Sequence, residues 1–489
     1  MLLFYKYKCI IVKKLDGEKM FENQKKRIDN IRHAEGANKE YYKRVRIADY
    51  ISGQAIYNLG DYPARVSAEP TEYDVKLVKS LAENGVKLIQ LHEDWNDACR
   101  YYGGDKFNAV DREGTRNFVK LCHDNGIKVI AYMSSTFFHR YDPDFCEDFS
   151  RTDGVLEMNY FSYRGCNHGS DTWREYVMNK MFEAVDYYGF DGIFNDFWYD
   201  SYVYDYEKGE CYVKTVEVEY NPETSDVHDT NYLTEDGRCI KDAEVEYDPD
   251  FEDMHAQIYS EIKKRGGIYK IHTGNRNVPS RDKVYDYIWV GEGLKELTPG
   301  NGKEHDGYVV PCLDRHFYTE VSAKTYFAYT VPFLQFPLLK TGRPIIGQNT
   351  ELPNVTYYGG DEQEFYAAVG EYMKEHPEGP YVYSLWSSIP DDPTEFDVWS
   401  YYMKLYAPMT AENSIAFCEI RKSDDIVSDI PERVFASMFV NEETYLAVSN
   451  LTGDSYFLKL SGLWQDRETG IVSDVFEINN DSILFLIKK

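Results

Sequence analysis

Four segments of this chain share one order: a helical pattern, a glycine that ends it, and an uninterrupted apolar run. The helical patterns cover residues 71–84, 111–125, 172–188 and 251–265. The runs VKLIQLHEDW, IKVIAYMSS, FDGIFND and IYKIHTGN follow them. Strands of this kind are apolar on both faces, which is typical of parallel sheets covered by helices. We therefore expect an α/β fold.

Local signals place the first turns and the buried faces of these helices. Thr71 and Asp74 are spaced as a capping box in the first helix, and Thr172 and Glu175 have the same spacing in the third. The helical period predicts the buried side chains. They are Val75, Val78, Leu81 and Ala82 in the first helix, and Phe118, Val119 and Cys122 in the second.

Four further strands bring the predicted total to eight. They cover residues 52–60, 285–293, 308–315 and 381–388, and segments 319–339, 361–376 and 396–407 have helical composition. Eight alternating strands and helices predict a (β/α)₈ TIM barrel over residues 51–408. A doubly wound sheet is the competing fold, but GDYPARVS after the first strand is not the glycine-rich turn that such a sheet requires.

The remaining segments are predicted to flank the barrel. Residues 1–50 are charged and partly helical, and the native start is either Met1 or Met20. Residues 200–250 form an insertion after the fourth strand, where loops cover the active face of a barrel. Residues 409–489 carry short strands separated by turns such as NEE and LTGD, which predicts a C-terminal antiparallel β-sandwich.

Charge and cysteine content narrow the possible partners. The 83 acidic and 54 basic residues give a net charge of −29, which disfavours nucleic acids and anionic membranes. The nine cysteines are scattered without a CxxC pair, so we expect a reducing, cytoplasmic setting. No run of 18 apolar residues occurs, and an HExxH pattern is absent, so neither a membrane span nor a metal or other cofactor is expected. A homo-oligomer stays open.

Barrel enzymes place their catalytic groups at the carboxyl ends of the strands. In this chain those ends carry carboxylates, amides and aromatic rings, which suits a sugar, since a pyranose needs ring stacking and hydroxyl partners. The candidate residues are Asp94, Trp95, Tyr132, Asn195, Asp196, Trp198, His272, Asn275, Arg276, Glu292, Asp314, Arg315 and Trp386.

Three sequence features resemble the retaining α-glycosidases of the α-galactosidase (melibiase) clan. They are an acid closing the fourth strand in FDGIFNDFW, an acid closing the sixth in VGEG, and a C-terminal β-domain containing GLWQDRETG. The resemblance implies a hydrolase that cleaves an α-glycosidic bond by double displacement, with Asp196 as nucleophile and Glu292 as acid/base. The chain has Phe194 where the clan usually has a lysine, and glutamate where its strand-six acid is an aspartate. No particular sugar is therefore implied, and related α-glucosidase-type and α-N-acetylgalactosaminidase-type barrels stay open.

Two other functions compete with hydrolysis. Lys270 in IYKIHTG is the candidate Schiff-base amine of a barrel lyase or aldolase. A non-catalytic carbohydrate-binding barrel would keep the tryptophans and lose one of the two acids. For hydrolysis Asp196 must be ionised, with Asn195 as the expected hydrogen-bond donor, and Glu292 must be protonated.

Overall fold

The computed structural model describes most of the chain in separate ranges. These are residues 22–59, 67–92, 95–97, 105–109, 111–139, 142–158, 161–196, 201–205, 210–214, 232–233, 239–240, 245–246, 249–272, 283–290, 298–303, 307–311, 322–343 and 393–489.

Eight parallel strands form the central sheet, which confirms the predicted TIM barrel. Their order is β18-β17-β16-β10-β6-β3-β2-β19. The strands are β2 (Gln54–Asn58), β3 (Leu88–Leu91), β6 (Lys128–Ser134), β10 (Gly192–Asp196), β16 (Ile268–His272), β17 (Tyr287–Val290), β18 (Tyr308–Pro311) and β19 (Leu339–Gly342). The two end strands approach each other, since the Phe336 amide just before β19 donates to the Val309 carbonyl of β18 at 3.3 Å.

Helices follow the strands in the predicted rhythm. After a helical segment at residues 22–37, which we call α1, they are α2 (Glu72–Glu83), α3 (Arg112–Asp124), α4 (Asp171–Tyr188), α5 (Pro249–Lys264), α6 (Ala323–Thr330) and α7 (Pro393–Tyr406). The capping box between Thr71 and Asp74 is confirmed. The expected pair at the start of α4 is wrong, because Ser170 caps that helix by accepting from the Trp173 amide at 3.2 Å.

The predicted buried face of α2 is correct only in part. Val78 and Leu81 are buried, whereas Val75 is 47% exposed. Asp74 is buried in the adjacent position instead. Periodicity could not reveal this exchange, because the partners that make a carboxylate tolerable in the core come from distant parts of the chain.

The eighth strand differs from the predicted one. The segment 381–388 lies outside the described residues, and β19 (LKTG) pairs in parallel with β2, Leu339 beside Ala55 and Gly342 beside Asn58. Residues 319–339 were expected to be helical, yet α6 ends at Thr330 and the chain extends into β19 after a short 3₁₀ turn. The residues of LKTG do not by themselves predict a strand. The segment forms one because it pairs with β2.

A seven-stranded antiparallel sheet packs beside the barrel, in the order β1-β20-β21-β22-β25-β23-β24. Its strands are β1 (Asn38–Arg46), β20 (Ile415–Ser423), β21 (Val434–Val440), β22 (Thr444–Asn450), β23 (Tyr456–Asp466), β24 (Val472–Ile478) and β25 (Ser482–Lys488). Residues 1–50 thus contribute a strand, β1, to the C-terminal sheet. The domain boundaries at residues 51 and 409 stay predictions.

The sheet buries apolar residues on two sides. One cluster consists mainly of residues from the strands of this sheet and includes Phe417 and Trp464. The other side packs against the barrel helices, where Tyr402 of α7 meets Phe485 with ring centroids 6.0 Å apart and Tyr406 meets Phe439 at 6.1 Å.

Shorter strands occupy the loops of the barrel. They are β4 (Asn96–Asp97), β5 (Asp105–Ala109), β7 (Phe137–His139), β8 (Ser150–Met158), β9 (Phe161–Cys166), β11 (Ser201–Asp205), β12 (Glu210–Lys214), β13 (Tyr232–Leu233), β14 (Cys239–Ile240) and β15 (Val245–Glu246). Within the 200–250 insertion, β11 pairs with both β12 and β15 in antiparallel register. Among the described residues, no helix is long and apolar enough to span a bilayer.

A buried ion pair joins the end of the last barrel strand, β19, to helix α2. Arg343, directly after β19, donates from Nη2 to Asp74 Oδ2 at 2.8 Å and from Nε to Oδ1 at 3.0 Å. Tyr57 of β2 donates its hydroxyl to Asp74 Oδ1 at 2.6 Å. Burial opposes ionisation of Asp74, but these hydrogen bonds outweigh it and lower the pKa of the carboxyl. The ion pair and the Tyr57 hydrogen bond therefore hold α2 against β19 and β2.

Asp74→Ala should reduce the free energy of unfolding by about 3–5 kcal/mol, because it leaves the Arg343 charge buried without its carboxylate. Glu72→Ala is the matched control on the same helix, since the Glu72 side chain is 95% exposed and should change stability little. Urea unfolding measures both variants. Since the pKa of Asp74 is lowered in the folded state, its contribution is complete above the unfolded-state pKa and is lost as pH falls through the folded-state pKa. Equal stability of the two variants would contradict this role.

Candidate functional site

The pleat of β10 determines which of its side chains face the barrel interior. Successive residues of a strand point to opposite faces, so Phe194 and Asp196 share one side and Asn195 takes the other. Gly192 begins the strand where a side chain has no space, because a Cβ there would lie 1.9 Å from the Ile268 carbonyl oxygen. The close approach of β10 to β16 at this point sets the register in which Asp196 and His272 lie side by side.

Asp196 is held by one side chain from each neighbouring strand. Tyr132 of β6 donates its hydroxyl to Oδ2 at 2.7 Å, and His272 of β16 lies with Nδ1 2.7 Å from Oδ1. An ionised carboxylate only accepts hydrogen bonds, so Nδ1 of His272 carries the proton. The side chains of Asp196 and His272 keep 23% and 17% of their surface exposed, which leaves the carboxylate open to a ligand at the mouth of the barrel.

The surroundings of Asp196 favour its ionised form. Burial alone would raise its pKa, but the hydrogen bond and charge of His272 outweigh that effect, and the Tyr132 hydroxyl and the His92 charge add to them. The pKa of Asp196 is consequently lower than that of an ordinary aspartate. The carboxylate is thus suited to act as a nucleophile or as an electrostatic stabiliser at neutral pH.

Aromatic rings form a layer on the interior side of Asp196. The Phe194 ring lies 5.0 Å from Trp289 and 5.9 Å from Tyr132, centroid to centroid. His92, at the end of β3, lies 5.1 Å from Tyr132 and 5.8 Å from Trp289. The layer fixes the Tyr132 ring, and hence the hydroxyl that contacts Asp196.

Lys270 lies deeper in the barrel than this opening. Its side chain is fully buried, with Nζ 4.8 Å from the Trp289 ring centroid and 5.6 Å from that of Phe194. These are cation–π distances, which stabilise the charged ammonium. A Schiff-base amine must be neutral and accessible to a carbonyl substrate, so this placement does not favour the lyase alternative.

Two of the expected sugar contacts face away from the opening. Asn195 is fully buried and donates from Nδ2 to Tyr269 Oη and to Ser135 Oγ, each at 2.8 Å, while its Oδ1 accepts from the Ser135 amide at 3.0 Å. The expectation that Asn195 hydrogen-bonds Asp196 is corrected accordingly, since Tyr132 and His272 make those bonds. Asn195 instead anchors β10 to its neighbours.

Trp95 is also a packing residue in this structure. It is 2% exposed, donates its indole N–H to the Tyr132 carbonyl at 2.8 Å, and lies edge-on against Phe190 at 5.1 Å. Its ring therefore supports the Tyr132 backbone from outside the barrel and does not offer a face to a sugar.

The other expected site residues lie outside the described residues. They are Asp94, Trp198, Asn275, Arg276, Glu292, Asp314, Arg315 and Trp386. Their assignments remain predictions. The strands that precede Glu292, Asn275 and Asp314 are present, and all of them end at the same face of the barrel as β10.

The choice of site residues from the sequence missed His92. Its ring contacts Tyr132, and its charge contributes to the low pKa of Asp196. The available signal was its position directly after β3, two residues beyond Gln90, whose Nε2 lies 3.3 Å from His92 Nδ1. The two side chains share one face of the strand, so the period-two pattern places both of them inside the barrel.

No family model and no curated protein matches this sequence. Solved structures resemble the fold across most of the chain. The crystal structure of a noncanonic maltogenic alpha-amylase, AmyB from Thermotoga neapolitana, has a TM-score of 0.51 at 12% identity, covering 90% of this chain and 99% of that one. The alpha-glucosyl transfer enzyme XgtA has a TM-score of 0.56 at 10% identity, with the same 90% and 99% coverage. A MUTB variant from crystals soaked with trehalulose has a TM-score of 0.52 at 10% identity and equal coverage. These similarities establish the fold, a barrel followed by an antiparallel sheet.

Tyr132→Phe should raise the pKa of Asp196, because it removes a hydrogen bond to the ionised carboxylate. For any activity that needs this carboxylate ionised, the acid limb of the pH–rate profile should move to higher pH. Its kcat/KM should fall by roughly 10- to 100-fold, which corresponds to the free energy of one hydrogen bond to a charged group. Tyr326→Phe is the matched control, since that buried hydroxyl donates to the Pro311 carbonyl. An acid limb that stays in place in Tyr132→Phe would contradict the role of this bond.

Proposed function

We propose that this protein is a retaining glycoside hydrolase that cleaves an α-glycosidic bond. The single observation that supports this most is the Asp196 carboxylate, kept ionised by His272 and Tyr132 and partly exposed at the carboxyl end of a barrel strand. A nucleophile in a double displacement needs this combination of charge and access.

We propose α-glucosides as the first substrates to test. The fold is shared with a maltogenic alpha-amylase and an alpha-glucosyl transfer enzyme, which by their names act on α-linked glucose. The motifs around Asp196 and Glu292 resemble the α-galactosidase clan, so α-galactosides are the second choice. The similarity to solved structures lends no support to this galactosidase-like subtype.

Glu292 is the proposed acid/base. It stands two residues after β17, which is separated from β10 only by β16 in the sheet. Strands this close in one barrel end above a common opening, and a retaining mechanism requires the two carboxyl groups to be about 5–5.5 Å apart. An inverting enzyme would separate them by about 6.5–9.5 Å to admit a water molecule.

The proposed reaction has two steps. In the first, Asp196 Oδ attacks the anomeric carbon while Glu292 donates its proton to the departing oxygen, which leaves a glycosyl ester on Asp196. The ester is neutral, so the charge that kept Glu292 protonated is lost and its pKa falls. In the second step Glu292 takes a proton from water, and the water oxygen displaces Asp196 from the anomeric carbon.

The site residues predicted from the sequence have proposed binding roles. We assign Asp94, Asn275, Arg276, Asp314 and Arg315 to the sugar hydroxyls and Trp198 and Trp386 to ring stacking. His272 and Tyr132 orient the nucleophile through their hydrogen bonds to Asp196, and His92 packs against Tyr132. Carboxylates, amides and indole rings are the groups that sugar sites use.

Asp196→Ala should lower the hydrolysis of an aryl α-glycoside by roughly 10⁴-fold or more, because no other group forms the ester. External azide should restore part of the activity and give a glycosyl azide of inverted configuration. Asp186→Ala is the control, since Asp186 is an exposed carboxylate of α4 that pairs with Arg265 at 2.9 Å. Near wild-type activity of Asp196→Ala on every cleaved glycoside would show that the nucleophile assignment is wrong.

Glu292→Ala should discriminate between leaving groups. A substrate with a very acidic leaving group needs no protonation in the first step, so glycosylation of the enzyme should stay fast. A sugar or alkyl leaving group should react much more slowly. Pre-steady-state kinetics with dinitrophenyl and methyl glycosides provides the comparison, and equal losses for both substrates would refute the acid/base role of Glu292.

A further inference from the structure

A cavity lies at the opposite end of the barrel from Asp196. Its volume is about 530 Å³. Lys283 and Asp286 precede β17, Gly307 precedes β18, and Tyr259 belongs to the helix that leads into β16, so this wall is the amino-terminal face of the barrel. The opposite wall comes from β1 and β20 of the antiparallel sheet. The cavity therefore lies between the barrel and the sheet.

The charge of this cavity contrasts with that of the chain. It is lined by five basic residues, Lys43, Arg46, Lys263, Lys283 and Lys303, and by three acidic ones, Asp49, Asp286 and Glu419. Glu412 adds a fourth carboxylate nearby, accepting from the Asp49 amide at 3.0 Å. Basic residues thus outnumber acidic ones here, in a chain with 83 acidic and 54 basic residues. A local excess of basic residues in an acidic protein favours the binding of a small anion at that place.

Two of the lysines already have carboxylate partners. Lys263 Nζ contacts both oxygens of Asp286, at 3.0 and 2.9 Å, and Lys303 Nζ contacts Glu419 at 2.7 Å. These pairs form the walls of the cavity and hold its shape. They leave the recognition of an anion to the other cations.

Arg46 and Lys283 are the cations best placed to recognise an anion. The Arg46 guanidinium donates from Nε to the neutral amide oxygen of Asn413 at 3.2 Å. Lys283 is exposed and lies with Nζ 5.7 Å from the Tyr308 ring centroid. Among the described residues Lys283 forms no ion pair. A guanidinium and an ammonium together match the two negative charges of a phosphomonoester.

Aromatic faces give the cavity a second kind of surface. Tyr42, Tyr259, Tyr308 and Phe333 line it, and Tyr42 is half exposed. A lysine ammonium lies 4.8–5.9 Å from the centroid of each ring, so the ring of a sugar or a nucleobase can pack on the opposite face, as at the half-exposed Tyr42, while its phosphate meets the cations. The volume is within the range of small-molecule sites, about 300–1,000 Å³, and exceeds what an inorganic ion fills.

We propose that this cavity binds a small phosphomonoester that carries a ring, either a sugar phosphate or a nucleoside monophosphate. The site is distinct from the proposed catalytic mouth, because its residues precede strands whose opposite ends surround Asp196. An occupant would touch both the barrel and the sheet, and so it should stabilise their association and raise the Tm.

Isothermal titration of the full chain at low salt tests this assignment with four probes. They are glucose 6-phosphate, adenosine 5′-monophosphate, inorganic phosphate and glucose. At least one ester should bind more tightly than inorganic phosphate and than glucose, and should raise the Tm. The ester that binds more tightly shows whether the ligand is a sugar phosphate or a nucleoside monophosphate. If neither ester binds more tightly than inorganic phosphate, the proposal is overturned.

Matched variants locate the binding. Lys283→Met should weaken ester binding by about tenfold or more, since it removes a charged donor from the site. Lys283→Arg should retain binding. Lys324→Met is the control, because Lys324 makes a similar cation–π contact, at 5.8 Å, with Tyr402 outside the cavity. The Lys324→Met variant should bind the ester as the parent protein does.

Asp196→Asn separates this site from the catalytic one. Ester affinity should be unchanged in that variant, whether or not the proposed hydrolysis is correct. Loss of ester binding in Asp196→Asn with normal binding in Lys283→Met would place the ester at the catalytic mouth and overturn the proposal.

Discussion

The pleat of one parallel strand is the constraint on which the site depends. Because neighbouring residues of β10 face opposite sides, Asp196 enters the barrel opening only if Asn195 enters the layer between strands and helices. The protein satisfies Asn195 with Ser135 and Tyr269, which removes the cost of burying an amide. The close packing of Gly192 against Ile268 sets the register of β16, and four residues later that register brings His272 to 2.7 Å from Asp196.

Two buried cations of the barrel have different kinds of partner. Arg343 is paired with the Asp74 carboxylate, which links the end of β19 to α2. Lys270 is instead covered by the faces of Trp289 and Phe194. The two ring faces stabilise the charged form of the Lys270 ammonium. A carboxylate and aromatic rings therefore both serve as partners of buried cations in this core.

Sequence periodicity was sufficient to predict the helices and strands whose burial depends on segments close to them in the sequence. The helix–glycine–strand units and the acid that ends β10 were predicted from local pattern. The pattern failed where burial depends on a distant partner: Asp74 replaces Val75 in the core because Arg343 reaches it from 269 residues away. The strand β19 was missed for a similar reason, since LKTG becomes a strand only beside β2. The alternation along β10 excludes Asn195 once Asp196 is chosen as the inward residue, whereas Trp95 lies beyond the end of β3, where the alternation gives no guidance.

The central claim is that Asp196 forms a covalent ester with a sugar, and trapping of that ester tests it most directly. A 5-fluoro-α-glycosyl fluoride slows both steps but keeps a good leaving group, so the glycosyl-enzyme accumulates. Intact-mass spectrometry should show the addition of one fluoroglycosyl group, and peptide mapping should locate it on Asp196 in the segment FDGIFNDFW. Turnover of glycosides with the label found on another carboxylate, or with inverted product and no label, would contradict the account.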